Sequence, residues 1–323
     1  MKHFFVITSC CLYFISFNQI KLYGEAQGTS YNIQYYDSLE RDFQNDIDSI
    51  LFFFDEAVST YNDHSIIVGI NNNLINYTKD KYFLACFEAA KILYKQTNGA
   101  FDPTVYPLVN IWGFGPTATG NKLPNQVMID SILHFVGFDK INLIENKIIK
   151  DDPRIQLDFN AFAQGYSVDV VSDYLRQKGV FNFLVEIGGE VFAQGSKWLI
   201  GIESPNYNKN EKNNILLAVK IDNKGLATSG NYRKYIEVNG TKYAHHIDPK
   251  TGKPSTNRLL SATVISDKTI ISDASATGLL VMGLKKAKRY LKRHQEIDAL
   301  LIYSNKNGTL KQFHSKNWNE RLK

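Results

Sequence analysis

Two side chains that carry oxygen stand four residues apart in the segment SDASATGLLVMG, which runs from Ser272 to Gly283. Asp273 and Thr277 would lie one turn apart on the same face of a helix. A carboxylate and a hydroxyl are the kind of ligand that Mg²⁺ accepts, commonly together with substrate phosphates. The alternative is structural, because an aspartate at the start of a helix interacts favourably with the helix dipole.

A second polar group lies in YAHHIDPKTGKP, which runs from Tyr243 to Pro254. His245, His246 and Asp248 stand close together here, beside a Pro-Lys-Thr-Gly turn. A histidine at this position could act as a general acid or base, or contact a phosphate, because its ordinary pKa is near neutral. The alternative is an ordinary turn that carries a surface histidine.

Two further segments combine small or aromatic residues with polar groups. Thr228 and Ser229 lie in ATSGNYRKY, where their hydroxyls and backbone amides could meet an oxyanion, although an ordinary β-turn is the competing interpretation. The segment 99–115, GAFDPTVYPLVNIWGFG, is rich in Gly, Pro and aromatic residues. It is expected to form a rigid loop that stacks on a planar ring or, alternatively, plugs the core.

The segment LDFNAFAQGYSVD, residues 157–169, predicts a strand, a polar turn and the start of a helix. Backbone amides at a helix N-terminus bind phosphate readily. The competing interpretation is that Asp158 or Asn160 simply caps this helix.

Several common enzyme signatures are absent from the sequence. It contains no Gly-rich phosphate loop of the Walker or dinucleotide type, and no GxSxG, HExxH or CxxC motif. The net charge of +5 is small and spread out. The densest basic run, residues 285–293, predicts a solvated helix face in preference to a nucleic-acid surface, so no nucleic-acid partner is expected.

The 323 residues, 44% of them hydrophobic, are enough to bury a large core. Helices are expected over residues 39–59 and 81–97, and a hairpin centred on Glu145–Asn146. Many hairpins and few βαβ units favour an α+β fold with mixed, largely antiparallel sheets and packed helices. We expect one domain over 21–323, with two closely packed subdomains possible.

The first 20 residues are expected to form an export segment. Residues 4–17 carry no charge, but this stretch is shorter than the roughly 20 apolar residues of a spanning helix. Either Cys10 is the lipidated first residue of a bacterial lipoprotein, or the segment is cut near Gln19 or retained as an anchor. All three versions predict a protein of the cell envelope that faces the periplasm. The competing interpretation is a buried N-terminal strand.

Together these segments resemble the ApbE-type FAD:protein FMN transferases, a bacterial family of flavin transferases. The resemblance runs from about Gly24 to Leu291. It is carried, in this order, by GEAQGTSYNI, FDEAVSTYNDHSIIVGIN, GAFDPTVYPLVNIWGFGP, LDFNAFAQGYSVD, LVEIGGEVFAQG, LATSGNYRKY, HHIDPKTGKP and SDASATGLLVMG.

The resemblance implies an ApbE-like fold and a Mg²⁺-dependent transfer of FMN from FAD to a threonine hydroxyl of a target flavoprotein, with release of AMP. It implies that Asp273 and Thr277 side chains and the backbone oxygen of Ala163 hold the cation, and that His245 is the catalytic base. The positions that it implies for flavin binding are Gln27, Tyr61, Ala100, Phe101, Asp102, Asn160, Tyr166 and His246, with Thr228 and Ser229 near the pyrophosphate.

The acceptors implied are subunits of membrane redox complexes. Two other outcomes stay open: a Mg²⁺-dependent FAD pyrophosphatase that yields FMN and AMP, and a periplasmic FAD-binding protein without turnover. The chain departs from the family pattern at Asn160, Ala161 and Gln164, where many members have a glycine pair and a lysine. It also departs at Gln27, where many have methionine.

Overall fold

The structure is a computed structural model that describes residues 18–116, 123–196, 198–205, 214–231, 235–238 and 241–322. The strands are β1 Gln19–Ala26, β2 Thr29–Tyr36, β3 Ile141–Ile144, β4 Lys147–Lys150, β5 Phe183–Ile187, β6 Glu190–Gln194, β7 Trp198–Glu203, β8 Ile215–Ile221, β9 Lys224–Gly230, β10 Tyr235–Val238, β11 Thr241–Ala244, β12 Ile247–Asp248, β13 Lys253–Pro254, β14 Leu259–Ser266, β15 Asp298–Ser304 and β16 Leu310–His314. The helices are α1 Gln44–Val58, α2 Ile66–Asn71, α3 Lys81–Gln96, α4 Tyr106–Ile111, α5 Gln126–Leu133, α6 Ala163–Gln177 and α7 Thr269–Arg293.

Eight of the described strands form one sheet in the order β1-β2-β5-β6-β9-β14-β15-β16, and every neighbouring pair is antiparallel. The β7–β8 hairpin and Trp318 share a buried cluster with side chains from one face of this sheet. Helices α1 and α6 share another with strands β1, β2, β5 and β6. The α+β prediction is therefore confirmed.

Side chains along β2 alternate between the core and the more exposed side of the sheet. Tyr31, Ile33 and Tyr35 are buried and point to one face, while the residues between them are more exposed. On α3, Phe83, Phe87 and Ala90 form the buried face that the helical spacing predicts. These residues, with α1, give the helical layer a core of its own.

Helices α6 and α7 meet at their N-terminal ends, and this contact positions Asp273. The Gly165 amide donates a 3.0 Å hydrogen bond to Asp273 Oδ2. A β-carbon on Gly165 would lie 2.6 Å from the Thr269 carbonyl oxygen and 2.8 Å from Asp273 Cβ. Only glycine therefore allows the two helices to approach this closely.

The start of α7 differs from the sequence expectation. The helix begins at Thr269 instead of Ser272, and its N-cap residue, Lys268, makes no capping bond through its side chain. The cap comes from α6, since the Asp169 carboxylate accepts hydrogen bonds from the amides of Thr269 (2.8 Å) and Ile270 (3.0 Å). A carboxylate at this position satisfies two free N–H groups and complements the helix dipole.

Other expectations have mixed outcomes. The β3–β4 hairpin turns at Glu145–Asn146 as predicted, with both residues at positive φ. Helices α1 and α3 are confirmed with shorter bounds than expected.

The segment 99–116 was predicted to lack regular structure, and this was wrong: it contains a 3₁₀ turn, Pro103–Val105, followed by α4. Proline in the first turn of α4 costs no hydrogen bond there.

Helix α7 is interrupted at Gly283, whose φ of 70° and ψ of 165° are not helical. The interruption divides it into a first part, Thr269–Met282, and a second part that ends at Arg293. Any other residue at position 283 would have to adopt this positive φ, and its β-carbon would lie 3.2 Å from Asn257 Cβ. Glycine is therefore favoured here.

Residues 1–17, including Cys10, lie outside the described residues, so the export segment stays a prediction. The described chain is already in strand β1 at Gln19, within the first 20 residues. None of the helices in the described ranges combines the length and apolar character needed to cross a bilayer.

Replacing Gly165 with alanine tests the contact between α6 and α7. In an open helix this change would stabilise the fold by about 0.5–1 kcal/mol. Here the added methyl group meets backbone, so we expect the free energy of unfolding to fall by about 1–3 kcal/mol. Urea unfolding followed by circular dichroism measures the difference. Gln177→Ala, at an exposed position of the same helix, should stay within about 0.5 kcal/mol of wild type. A stability gain for Gly165→Ala would contradict the close contact.

Candidate active site

Asp273 lies in the second turn of α7 with its carboxyl group buried. It receives a hydrogen bond from the Gly165 amide, and burial together with the nearby Asp169 raises its pKa to about 8. The cap of α7 is Asp169, so the interpretation of Asp273 as the cap of its own helix is wrong. A buried carboxyl group without a neighbouring cation is costly to ionise, which makes this position suited to a bound metal ion.

Thr277 and Ala163 are the other predicted oxygen donors, on the same helix as Asp273 and on the helix that contacts it. Only Oδ2 of Asp273 is engaged by a hydrogen bond within the described chain. Thr277, one turn on, shares a 3.1 Å hydrogen bond with the Ser229 hydroxyl of β9. Ala163 is the first residue of α6, two positions before Gly165. Carboxylate, hydroxyl and carbonyl oxygens form a donor set that fits a hard divalent cation. No group of three or more His, Cys, Asp or Glu side chains that could hold a metal ion is found among the described residues, so the candidate donors here are one carboxylate with hydroxyl and carbonyl oxygens.

Strand β9 brings the other predicted hydroxyl to the same region. Thr228 pairs with Thr263 of β14, and their hydroxyls are 2.9 Å apart. Thr228 is therefore engaged with the sheet, whereas Ser229 is engaged with α7. The β-turn alternative is wrong, because both residues belong to a regular strand.

His245 and His246 lie in contact, with ring centroids 3.9 Å apart. His246 is buried, and burial together with His245 lowers its pKa well below the ordinary value. Its Nδ1 atom has no hydrogen-bond partner within the described chain. His246 is thus a neutral ring with one polar atom free for a ligand. His245 is more accessible, and its ring packs edge-on to Phe114 at 6.2 Å.

The segment after the histidines is fixed to α7. The Ser255 amide donates to the His246 carbonyl oxygen at 2.8 Å. Ser255 Oγ (3.3 Å) and Asn257 Nδ2 (2.7 Å) both donate to the carbonyl oxygen of Leu280. Leu280 lies three residues after Thr277, so one short stretch of α7 carries the predicted cation ligands and also holds the histidine segment.

Four of the predicted flavin positions come from the helical layer and the β1–β2 turn. Gln27, at positive φ, accepts a 3.2 Å hydrogen bond from Ser167, and its buried Nε2 has no partner within the described chain. Asn160 donates to the Thr60 hydroxyl at 2.9 Å. The capping interpretation of Asn160 is wrong, because α6 begins at Ala163 without a side-chain cap.

The two tyrosines among these positions differ in exposure. Tyr61 is 66% exposed, which is high for so large an aromatic side chain. Tyr166 is half-buried, and its ring packs against Phe54 at 5.6 Å. The protein around each hydroxyl group reduces its contact with water and raises its pKa above the ordinary value, although the Tyr61 ring itself is exposed. Both rings therefore stay neutral, and Tyr61 offers a face on which a planar ligand could stack.

The remaining three predicted positions follow α3. Ala100 is half-buried, and the Phe101 amide donates to the Thr97 hydroxyl at 3.0 Å. Asp102 is buried, accepts bonds from the amide and hydroxyl of Thr104, and has its pKa raised to about 6 by burial. Asp102 therefore shapes this loop, whatever further contact it makes with a ligand.

Three carboxyl groups in this region were not assigned by sequence. Asp169 caps α7 and acts on Asp273. Asp55, on α1, bonds to the Gln27 amide, and burial raises its pKa to about 6. Asp158, weighed only as a cap, accepts a bond from the Asn160 amide, and burial raises its pKa to about 6 as well. The sequence indicates a buried carboxyl group only where an acidic residue interrupts an apolar helical pattern, as at Asp55 and Asp169.

Comparison with known proteins gives a consistent result. The ApbE family model matches residues 27–301. A relative from Vibrio cholerae serotype O1, named FAD:protein FMN transferase, is 34% identical over 301 residues, covering 90% of this chain and 89% of its own. A relative of the same name from Haemophilus influenzae is 35% identical over 308 residues, covering 90% and 88%.

Solved structures agree with the sequence relatives. The flavin transferase ApbE from Vibrio cholerae superposes with a TM-score of 0.84 at 32% identity, covering 95% of this chain and all of that one. The flavinyl transferase ApbE from Pseudomonas stutzeri, in its apo form, gives 0.84 at 30% identity, with coverages of 95% and 97%. The family match spans most of the chain, and the fold is the same throughout. The protein belongs to the ApbE family.

Proposed function

We propose that this protein is a FAD:protein FMN transferase, as its relatives are named. The observation that carries the proposal is the double role of α7. Its first part bears Asp273 and Thr277, and its Leu280 carbonyl holds the segment that follows His245 and His246. A cation site and a candidate base are thereby fixed on one rigid element, as a phosphoryl-transfer site requires.

The cation in this proposal is Mg²⁺, held by Asp273, Thr277 and the carbonyl oxygen of Ala163. When bound, Mg²⁺ would draw charge from the FAD pyrophosphate and stabilise AMP as the leaving group. The buried carboxyl of Asp273 supports this assignment, because a neighbouring cation would offset the cost of its ionisation.

FAD would lie across the loop after α3 and the start of α6. Tyr61 presents an exposed ring, and Gln27 and His246 each carry a buried nitrogen without a partner in the described chain. Such atoms are expected to bind a polar ligand group. Ala100, Phe101, Asp102, Asn160 and Tyr166 complete the FAD site in this proposal, with Thr228 and Ser229 nearest the pyrophosphate.

In the proposed reaction, a threonine hydroxyl of an acceptor flavoprotein attacks the phosphorus of the FMN half of FAD. His245 takes the hydroxyl proton as the new P–O bond forms. The bond from that phosphorus to the bridging oxygen breaks, and AMP leaves with this oxygen. No covalent intermediate with the protein is needed.

The acceptors proposed are subunits of membrane redox complexes, met on the periplasmic side of the cell envelope. The support is the uncharged segment 4–17, which would export the chain, with Cys10 as one possible lipid anchor.

His245→Ala tests the base. Removing a general base should lower the transfer rate by about 10²–10⁴-fold. FAD affinity should stay within about threefold, because the ring contributes little to ground-state binding. The measurement combines acceptor mass, free FMN and AMP with FAD binding by fluorescence.

His134→Ala is the matched control, since His134 is an exposed histidine at the end of α5. It should transfer FMN at the wild-type rate. Equal activity in the two variants would remove His245 from the mechanism. If wild type releases AMP and free FMN without modifying any acceptor, the protein is a pyrophosphatase and the proposal is wrong.

Asp273→Asn tests the cation site while preserving the shape of the side chain. The wild-type protein with FAD should be stabilised by about 2.7 kcal/mol at a Mg²⁺ concentration one hundred times its Kd. The variant should lose most of this stabilisation and most transfer activity. Thermal unfolding at increasing Mg²⁺ gives a readout that is independent of turnover.

Asp267→Asn serves as the control, because Asp267 is an exposed carboxylate just before α7. It should keep the full response to Mg²⁺. A wild-type response in Asp273→Asn would place the cation elsewhere.

A further inference from the structure

A groove of about 300 Å³ lies beside the candidate active site. Its walls are the turn after α3 with Thr97, Asn98 and Ala100, the turn at Asp248–Lys250, and the second half of α7 with His294 just after it. Four cationic side chains line it. We call it the basic groove and define it by Lys250, Lys286, Arg289 and Arg293.

The positive charge of the basic groove is not neutralised within the described chain. None of its four cations forms an ion pair there. Two acidic residues are near: Asp248 accepts the Lys250 amide, and Glu296 pairs with His294 at 2.7 Å. Four exposed cations and one carboxylate in the lining leave the basic groove with a clear positive excess, which favours an anionic partner.

The dimensions of the basic groove favour an extended partner over a single small anion. Lys286 and Arg293 are seven residues apart on α7, which is about 10 Å along a helix. Tyr290 stacks on His294 at 4.0 Å and adds an aromatic surface between the cations. Two arginines suit carboxylates in particular, because the planar guanidinium group binds them with two parallel hydrogen bonds.

The basic groove adjoins the reactive groups. Asp248 and Lys250 follow His246 by two and four residues. On the opposite wall, a β-carbon on Gly278, next to Thr277, would lie 3.2 Å from Thr97 Cγ2. A protein that presents its hydroxyl to His245 must cover the surface beside it. Among the positions predicted for FAD, Ala100 alone lines the basic groove, so the four cations are left for another partner.

We propose that the basic groove docks an acidic segment of the acceptor protein and so orients the acceptor hydroxyl toward His245. This proposal rests on the proposed function for the identity of the partner, whereas the anionic character of the partner rests on the basic groove alone.

The test compares two double variants with the same change in charge. Arg289→Glu with Arg293→Glu alters the basic groove. Lys285→Glu with Lys292→Glu alters two exposed cations of the same helix that do not line it. The first measurement is binding of a fluorescein-labelled deca-glutamate peptide by anisotropy at low and at physiological salt. We expect the groove variant to bind at least tenfold more weakly than wild type, and the control to stay within about twofold at matched salt.

The second measurement is steady-state FMN transfer to an acceptor that the wild-type protein modifies. The groove variant should raise KM for the acceptor at least tenfold and leave KM for FAD unchanged. The milder pair Arg289→Gln with Arg293→Gln should act in the same direction, and it replaces the glutamate pair if that pair unfolds.

Four results would overturn the proposal: equal losses in both double variants, no loss in either, a selective rise in KM for FAD, or loss of binding to phosphatidylglycerol vesicles with peptide binding intact. The last would assign the basic groove to a membrane surface. If no acceptor is modified by wild type, the proposed function fails on its own, and the peptide measurement still decides whether the basic groove binds acidic chains.

Discussion

The contact between the N-terminal parts of α6 and α7 is the constraint on which the candidate site depends. Two carboxyl groups are buried there, and they are used differently. Asp169 is satisfied by two amides of α7, whereas Asp273 receives one amide and keeps an oxygen free. The close contact, which only glycine at position 165 permits, is therefore what buries the Asp273 carboxyl group and leaves one of its oxygens without a hydrogen bond in the described chain.

The two halves of the site come from different layers of the fold. The predicted flavin contacts arise mainly from the helical layer, where loops follow α1 and α3 and α6 begins. The hydroxyls of β9 and the turn with His245 come from the antiparallel sheet and the segment beside it. Helix α7 contacts both layers, so a substrate bound between them would bridge two separately packed clusters.

The spacing of hydrophobic residues predicts the helices and hairpins, but it does not predict which distant residues form hydrogen bonds with them. The bounds of α3 were expected to within one residue, and the Glu145–Asn146 turn was located, because both depend on neighbouring residues. The start of α7 was misplaced, since its cap is a carboxylate one hundred residues earlier in the chain. The four-residue spacing alone indicates Asp273 and Thr277 as a possible pair of cation ligands, with a structural role as the alternative. The ligand set and the role of His245 came from family resemblance, and Asp55 and Asp169 were missed because their partners are distant in sequence.

The interruption of α7 at Gly283 has a consequence for how the site stays aligned. In a continuous helix the Leu280 carbonyl would accept the amide of residue 284, and one lone pair would remain for side chains. The break at Gly283 lies between these two residues, and the Leu280 carbonyl accepts hydrogen bonds from Ser255 and Asn257. The histidine segment is thus attached to α7 beside the break in that helix. A straight α7 would therefore weaken the attachment of the histidine segment to the helix that carries Asp273 and Thr277, without changing either of those residues.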